Sequence, residues 1–354
     1  MVNYVLTGVV LGLGGVLLAW WGNPPRTGAC VSCFLENIVG ALRLHANERM
    51  QYLRPEIPAF VLGALGAAAA RRDLVHRSSG AFTLRFAVGV VLMIGCAVFM
   101  GCPLKLGLRL GAGDMTALTG AIGLAAGVFL GVQAVRGGFS LGRETTPRAV
   151  GGFLVPAMMA ALLALAVVEP GFIAKSTRGA GADHAPLLAS LAFGLVAGAL
   201  AQRNGFCITG GVAHLFLWGR RLPDCPRASG MLAGVGAFVV AVVVASAATG
   251  QFSPGLVGQP SSNEDYGWGF LAMLTVGFGS ILIRGCPFRQ LVLAGSGDHD
   301  AGGAVLGMLA GAALVQDWGL AGAAAGTPFA GKIALLLGLA FLFAVTLAYR
   351  DRSA

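Results

Sequence analysis

The stretch VFMGCPLKLGLRLGAGD at residues 98–114 returns in altered form as LIRGCPFRQLVLAGSGD at residues 282–298. The two align without a gap. Gly101-Cys102-Pro103 falls on Gly285-Cys286-Pro287, Lys105 on Arg289, and Gly111, Gly113 and Asp114 on Gly295, Gly297 and Asp298. The same register carries Gly95 onto Gly279, and Gly123 and Gly127 onto Gly307 and Gly311. Glycines coincide readily in a chain that has 56 of them. The joint recurrence of Gly-Cys-Pro, a basic residue and Gly-x-Gly-Asp in one register points instead to two related halves.

A weaker match places Cys30 on Cys207, each ahead of a short apolar segment: CVSCFLENIVGAL against CITGGVAHLFLWG. Around these landmarks the chain is 56% hydrophobic and only 11% charged, against about 25% charged in soluble domains. Apolar runs of roughly 20 residues, enough to span a bilayer core, recur along its length. The reading is an all-α polytopic membrane protein of about ten spans. Their cores lie near 3–21, 56–72, 84–100, 115–134, 150–168, 185–202, 228–249, 267–284, 300–318 and 331–349. The first of these is read as a span rather than a cleaved signal, because it is long and lacks a basic start. Four apolar segments are too brief to cross and read as re-entrant half-helices: 28–44, 102–112, 206–218 and 286–296. The halves are then 1–140, a first repeat, and 185–320, a second. Residues 141–184 form a linking span and 321–354 a C-terminal span. An offset of five spans is odd, so the second repeat is expected to be inverted relative to the first.

The net charge of +9 comes from scattered residues, not a basic tract, and nucleic acid is not an expected partner. The termini and even-numbered loops carry most of the 24 Lys and Arg residues, among them Arg71, Arg72, Arg77, Arg143, Arg148, Arg220, Arg221, Arg350 and Arg352. That bias predicts cytoplasmic termini in the cytoplasmic (inner) membrane. The Cys30 and Cys102 segments would then dip in from outside, and the Cys207 and Cys286 segments from inside.

The breaks are the places for chemistry. Gly101 and Gly285 relieve steric limits where a helix stops. Pro103 and Pro287 suit the first turn of the next helix, where a missing N–H costs nothing. Each Cys between them sits at a half-helix N-terminus, where free N–H groups and the helix dipole favour an anion. A lone buried Cys is usually a packing residue, but Cys102 and Cys286 in matched settings, with Cys207 and Cys30 at the other pair of breaks, are the candidate substrate pathway. Lys105, Arg203, Arg284 and Arg289 flank the breaks as supporting cations, with snorkelling as the plain alternative. Asp114 and Asp298 read as helix N-caps. Glu36, Asn37, His214 and His299 are weaker candidates for the mouths. Cys30 and Cys33 form a C-x-x-C that also suits thiol–disulfide exchange, although Cys33 falls on Gly210 in the repeat and reads as packing, as do Cys96 and Cys225. No zinc pattern, P-loop or catalytic triad is present, so neither an enzyme nor a cofactor is expected.

With these motifs together, the chain resembles the YeeE/YedE family of membrane proteins with sulphur-transport domains. VFMGCPLKLGLRL, ILIRGCPFRQLVLAG, QRNGFC at residues 202–207 and the repeat carry the resemblance over nearly the whole chain. GNPPRTGACVSCFLENIVGAL and YLRPEIPAFVLGA are similar to the subset described as selenium transporters. The resemblance implies an hourglass-shaped protein whose constriction cysteines hand an anion along through S–H···S hydrogen bonds. Those roles would fall on Cys102, Cys207 and Cys286, with Cys30 as an addition. It also implies a thiosulfate-like or selenium anion as substrate and a small cytoplasmic sulfur-carrier protein as partner. Pro-Leu-Lys and Pro-Phe-Arg follow the Gly-Cys here, where thiosulfate-type members carry small polar residues and a His. Alternatives from other classes are a membrane thiol oxidoreductase or sulfur relay using Cys30 and Cys33, and a structural subunit that needs a partner.

Overall fold

A computed structural model describes residues 2–75, 78–142 and 149–350. Arg77, Arg143, Arg148 and Arg352 of the charge argument lie outside them. The described residues hold fourteen α-helices and two short 3₁₀ turns, with no strand. Ten are long: α1 (Val2–Trp20), α3 (Glu56–Ala70), α4 (Phe82–Phe99), α6 (Ala117–Arg136), α7 (Leu154–Val168), α8 (Leu187–Asn204), α10 (Pro226–Ala248), α11 (Tyr266–Leu282), α13 (His299–Asp317) and α14 (Phe329–Ala348). Four are short: α2 (Val31–Ala41), α5 (Pro103–Gly111), α9 (Ile208–Trp218) and α12 (Pro287–Gly295).

Among the described residues, eight segments are long and apolar enough to cross a membrane. Two of the ten expected cores fall outside that set. α3 has 15 residues, or about 22 Å at 1.5 Å per residue, short of a bilayer core. α13 opens on His299-Asp300 and closes on Gln316-Asp317, which lowers its mean hydropathy. Three of the eight run straight through an expected break, at 82–111, 187–218 and 266–295, because composition does not register the interruption.

Glycine decides how the long helices meet. A Cβ built on Gly123 would stand 2.2 Å from the Phe270 carbonyl oxygen, and one on Gly307 2.0 Å from that of Phe86. The same relation holds between Gly12 and Phe238 at 2.6 Å and between Gly198 and Phe60 at 2.1 Å. These contacts make four parallel pairs: α6 with α11, α4 with α13, α1 with α10 and α3 with α8. Small residues let backbones approach this closely where lipid offers no hydrophobic drive to associate. Two further contacts are antiparallel. α1 meets α8 through Gly14 on Phe193, with Gly22 just past α1 on His184 just before α8, and α4 meets α11 through Gly95 on Ala272 and Gly279 on Leu92.

The two broken segments 82–111 and 266–295 occupy the centre, with 78% and 72% of their apolar windows buried. The windows of α7 and α14 are only 28% buried and form the rim. The short helices are packed inside this ring: α2, α5 and α12 are buried almost throughout. The buried arginines there are paired. Arg109 donates to Asp114 at 2.7 Å, to the Phe99 carbonyl at 3.1 Å and to Thr116 Oγ1 at 2.8 Å, and Arg26 Nη1 lies 3.7 Å from the same aspartate. Arg85 donates to the Ile283 carbonyl at 3.1 Å and sits 3.4 Å from Asp300. Phe99 and Ile283 occupy matched positions in the repeat, so each break has a carbonyl held by an arginine.

The expected N-cap role holds for Asp298, which accepts from the Ala301 N–H at 2.9 Å. Asp114 instead accepts from the Thr116 N–H and pairs with Arg109, because an arginine stands there and none stands opposite Asp298 in α12, whose matched residue is Leu293.

Gly127→Val is expected to destabilise the protein by at least about 1–3 kcal/mol, the usual cost of overpacking, since a Cβ there would lie 1.9 Å from the Leu274 carbonyl oxygen. Gly66→Ala in α3, where nothing lies within 4 Å, should be neutral or stabilising. Thermal unfolding in detergent, followed by circular dichroism, compares the two.

Candidate functional site

Cys30, Cys102, Cys207 and Cys286 share one local position. Each is the N-cap of a short helix, with extended backbone: φ −78°, ψ 108° at Cys30; −86°, 174° at Cys102; −156°, 128° at Cys207; −67°, 168° at Cys286. Pro103 and Pro287 open the helices that follow, as their fixed φ and missing N–H favour. At the other two breaks the sulfur itself caps the helix. Cys30 Sγ accepts from the Cys33 N–H and Cys207 Sγ from the Gly210 N–H, both at 3.4 Å. A hydroxyl two residues on lies beside each sulfur, Ser32 at 3.4 Å and Thr209 at 3.2 Å.

The four breaks converge in two clusters. In the first, Cys30 and Cys33 sulfurs are 2.9 Å apart, and the Cys102 thiol neighbours Cys30. In the second, Cys207 and Cys286 sulfurs are 3.6 Å apart. All are free thiols. Each cluster therefore joins one half-helix of the Cys30/Cys207 kind to one of the Gly-Cys-Pro kind from the same half of the chain. Each receives two helix N-termini, an electropositive setting for an anion.

The Gly-Cys-Pro glycines act differently from expectation. The left-handed conformation falls on the residue before each, Met100 at φ 63° and Arg284 at φ 71°. Gly101 and Gly285 instead make room for a cation stem. A Cβ on Gly101 would lie 2.7 Å from Lys105 Cδ, and one on Gly285 2.6 Å from Arg289 Cγ. Lys105 and Arg289 thus fold back over their own break. Lys105 is only 3% exposed, and its Nζ lies 3.8 Å from Cys33 Sγ. Arg289 Nη1 lies 3.4 Å from the Ala201 carbonyl oxygen.

Two cavities reach the clusters and share no lining residue. One, of about 550 Å³, is lined by Cys33, Glu36, Lys105, Met100 and Gln316, with loop residues Pro24, Thr27, Arg49 and Gly322. The other, of about 210 Å³, is lined by Cys207, Thr209, His214, Arg284, Gly285 and Arg289, with Met231 from the start of α10. The first lies where α1 and α13 end; the second lies where α10 begins. Because α1 and α10 run parallel, the cavities sit toward opposite ends of the bundle.

No family model matches this chain, and neither does any curated protein.

Of the supporting cations, Lys105, Arg284 and Arg289 line a cavity. Arg203 does not. It is exposed on the last turn of α8, where Asn204 takes the inward position and donates to Thr7 Oγ1 at 2.7 Å. His214 lines the second cavity and Glu36 the first. Asn37 instead accepts from the fully buried Arg54 at 2.6 Å, and His299 stacks on Phe82. Cys33, read as packing, forms part of the first cavity's wall. The i, i+3 spacing of C-x-x-C was the signal, since it puts both thiols on one helix face. Gly210 replaces it in the second half, and there Cys207 reaches the cavity directly.

In detergent, where both ends are open to water, a water-soluble maleimide is expected to label Cys33 and Cys207, which line cavities, well ahead of Cys102 and Cys286 behind them. Peptide mass spectrometry after timed labelling checks the order.

Proposed function

We propose that the protein is a transporter that moves a small sulfur- or selenium-containing anion through a cysteine-lined constriction. The observation that carries this is the pairing of thiols at four half-helix N-termini, two pairs, each beside a cavity on its own end of an apolar bundle. Oriented donors replace part of an ion's hydration shell, and weak successive sites let it leave. Thiols suit a soft, polarisable sulfur or selenium atom better than hydroxyls do. Lys105 at one cavity and Arg284 and Arg289 at the other supply the attraction. The resemblance to the YeeE/YedE sulphur-transport proteins agrees with this reading, and a small cytoplasmic sulfur carrier would receive the cargo.

The proposal includes ten crossings and an inverted repeat. Exchange of helix partners supports the repeat: α1 on α10 becomes α8 on α3, and α4 on α13 becomes α11 on α6. The antiparallel contacts of α1 with α8 and of α4 with α11 support the inversion. In a bundle, α3 and α13 would cross with help from their neighbours. The charge bias favours cytoplasmic termini in the inner membrane, which puts the Cys33–Lys105 cavity outside and the Cys207–Arg289 cavity inside.

A second reading, a thiol oxidoreductase or sulfur relay, is favoured by one observation, the 2.9 Å approach of Cys30 and Cys33. Thiol trapping separates the two: a Cys30–Cys33 disulfide or persulfide that forms and decays with substrate supports the relay.

The deciding test is uptake of labelled thiosulfate, selenite or selenide into cells lacking other routes. Cys102→Ala and Cys286→Ala are each expected to lower uptake by about tenfold or more, equivalent to about 1.4 kcal/mol. Unchanged uptake in both variants would exclude the thiol pathway.

A further inference from the structure

We propose that Glu36 carries a proton that moves with the anion, so that the protein couples anion entry to the proton gradient. This rests on the transport reading above and adds its driving force.

Glu36 lies one helical turn after Cys33 in α2, on the same face, and both line the larger cavity with Lys105. It is 5% exposed. Its Oε2 accepts from Gln316 Nε2 of α13. The amide is oriented from its other side, because Asn47 Nδ2 donates to Gln316 Oε1 at 2.7 Å. Among the described residues Glu36 joins no ion pair, unlike the buried Asp114 and Asp300, which sit against Arg109 and Arg85. An uncompensated carboxylate charge inside an apolar bundle is expensive, and such groups mark proton relays. On an anion's path the same charge also repels the cargo.

The groups around it are few. Cys30 and Cys33 face it from its own helix, Cys96 from α4 and Lys105 from α5; from α13 comes the neutral Gln316. Asp317 of α13 turns away to the Ala46 N–H. Glu56, at the start of α3, is held by Asn23 and Ser190. Arg289 of α12 lines the other cavity. Arg49 stands at the cavity wall, and His45 Nε2 meets the Glu36 backbone carbonyl at 2.9 Å.

The coupling follows from these contacts. Lys105 attracts the anion, whereas an ionised Glu36 opposes it. Protonation of Glu36 removes both a charge that no salt bridge holds and the repulsion. Proton and anion therefore favour each other's binding, and the linkage is reciprocal. The cavity that faces the other way holds no acid on its wall, only His214, Arg284 and Arg289 as ionisable nitrogen groups.

Proteoliposomes carrying an internal pH dye and given radiolabelled thiosulfate or selenite read both fluxes. The wild-type protein is expected to take in protons with the anion and to accumulate it when the outside is acidic. Glu36→Gln is expected to lower the protons moved per anion by more than about tenfold, within the range of coupling between linked sites. An unchanged ratio in Glu36→Gln, or wild-type anion flux without proton flux, overturns the proposal and leaves the transport reading standing. No wild-type flux of either anion overturns both. If Glu36→Gln gives no anion flux, the wild-type protein in detergent decides. Binding heats in two buffers of different ionisation enthalpy then report net proton uptake, which sustains the proposal, or none, which overturns it.

Discussion

Backbone that leaves the helical path inside an apolar bundle must have its polar groups satisfied by the protein itself. Four such interruptions converge in two clusters within the bundle, and much of the structure is arranged around them. At Phe99 and Ile283 the carbonyls freed by the break are taken by Arg109 and Arg85. At Cys30 and Cys207 the freed N–H groups of the next helix are taken by a sulfur. The arginines are in turn compensated by Asp114 and Asp300. Charges that look costly in a membrane protein thus hold the interruptions open.

The packing of the long helices serves the same end. Glycine-to-backbone contacts bring α6 onto α11 and α4 onto α13, and this encloses the two Gly-Cys-Pro segments. Looser contacts would admit lipid or leave voids against the short helices, which are too brief to be stable alone. Close approach of the outer pairs and burial of the inner half-helices are therefore one constraint seen from two sides.

The two thiol clusters are related but unequal. Cys33 shields Cys30 in one half, and its counterpart Gly210 leaves Cys207 uncovered in the other. Lys105 is nearly enclosed, while Arg284 stands exposed at the mouth of the smaller cavity. The two clusters thus share their breaks and differ in the side chains that look into each cavity. On the proposed function, that is where entry and exit would acquire different affinities and where Glu36 enters on one side alone.

Much of this was legible beforehand. Apolar run length and the 98–114/282–298 repeat determined an all-helical bundle with four short helices, and Gly-Cys-Pro placed two N-terminal cysteines, because Pro is tolerated at a helix start and almost nowhere else within one. Only the tertiary structure decided which thiols meet, that Arg109 is bound to Asp114 while Lys105 turns to Cys33, that Arg203 faces away, and that Gly101 and Gly285 yield space to a cation stem rather than supply a left-handed turn. These depend on contacts between residues distant in sequence and on side-chain direction around a break, and neither is encoded in local pattern or composition.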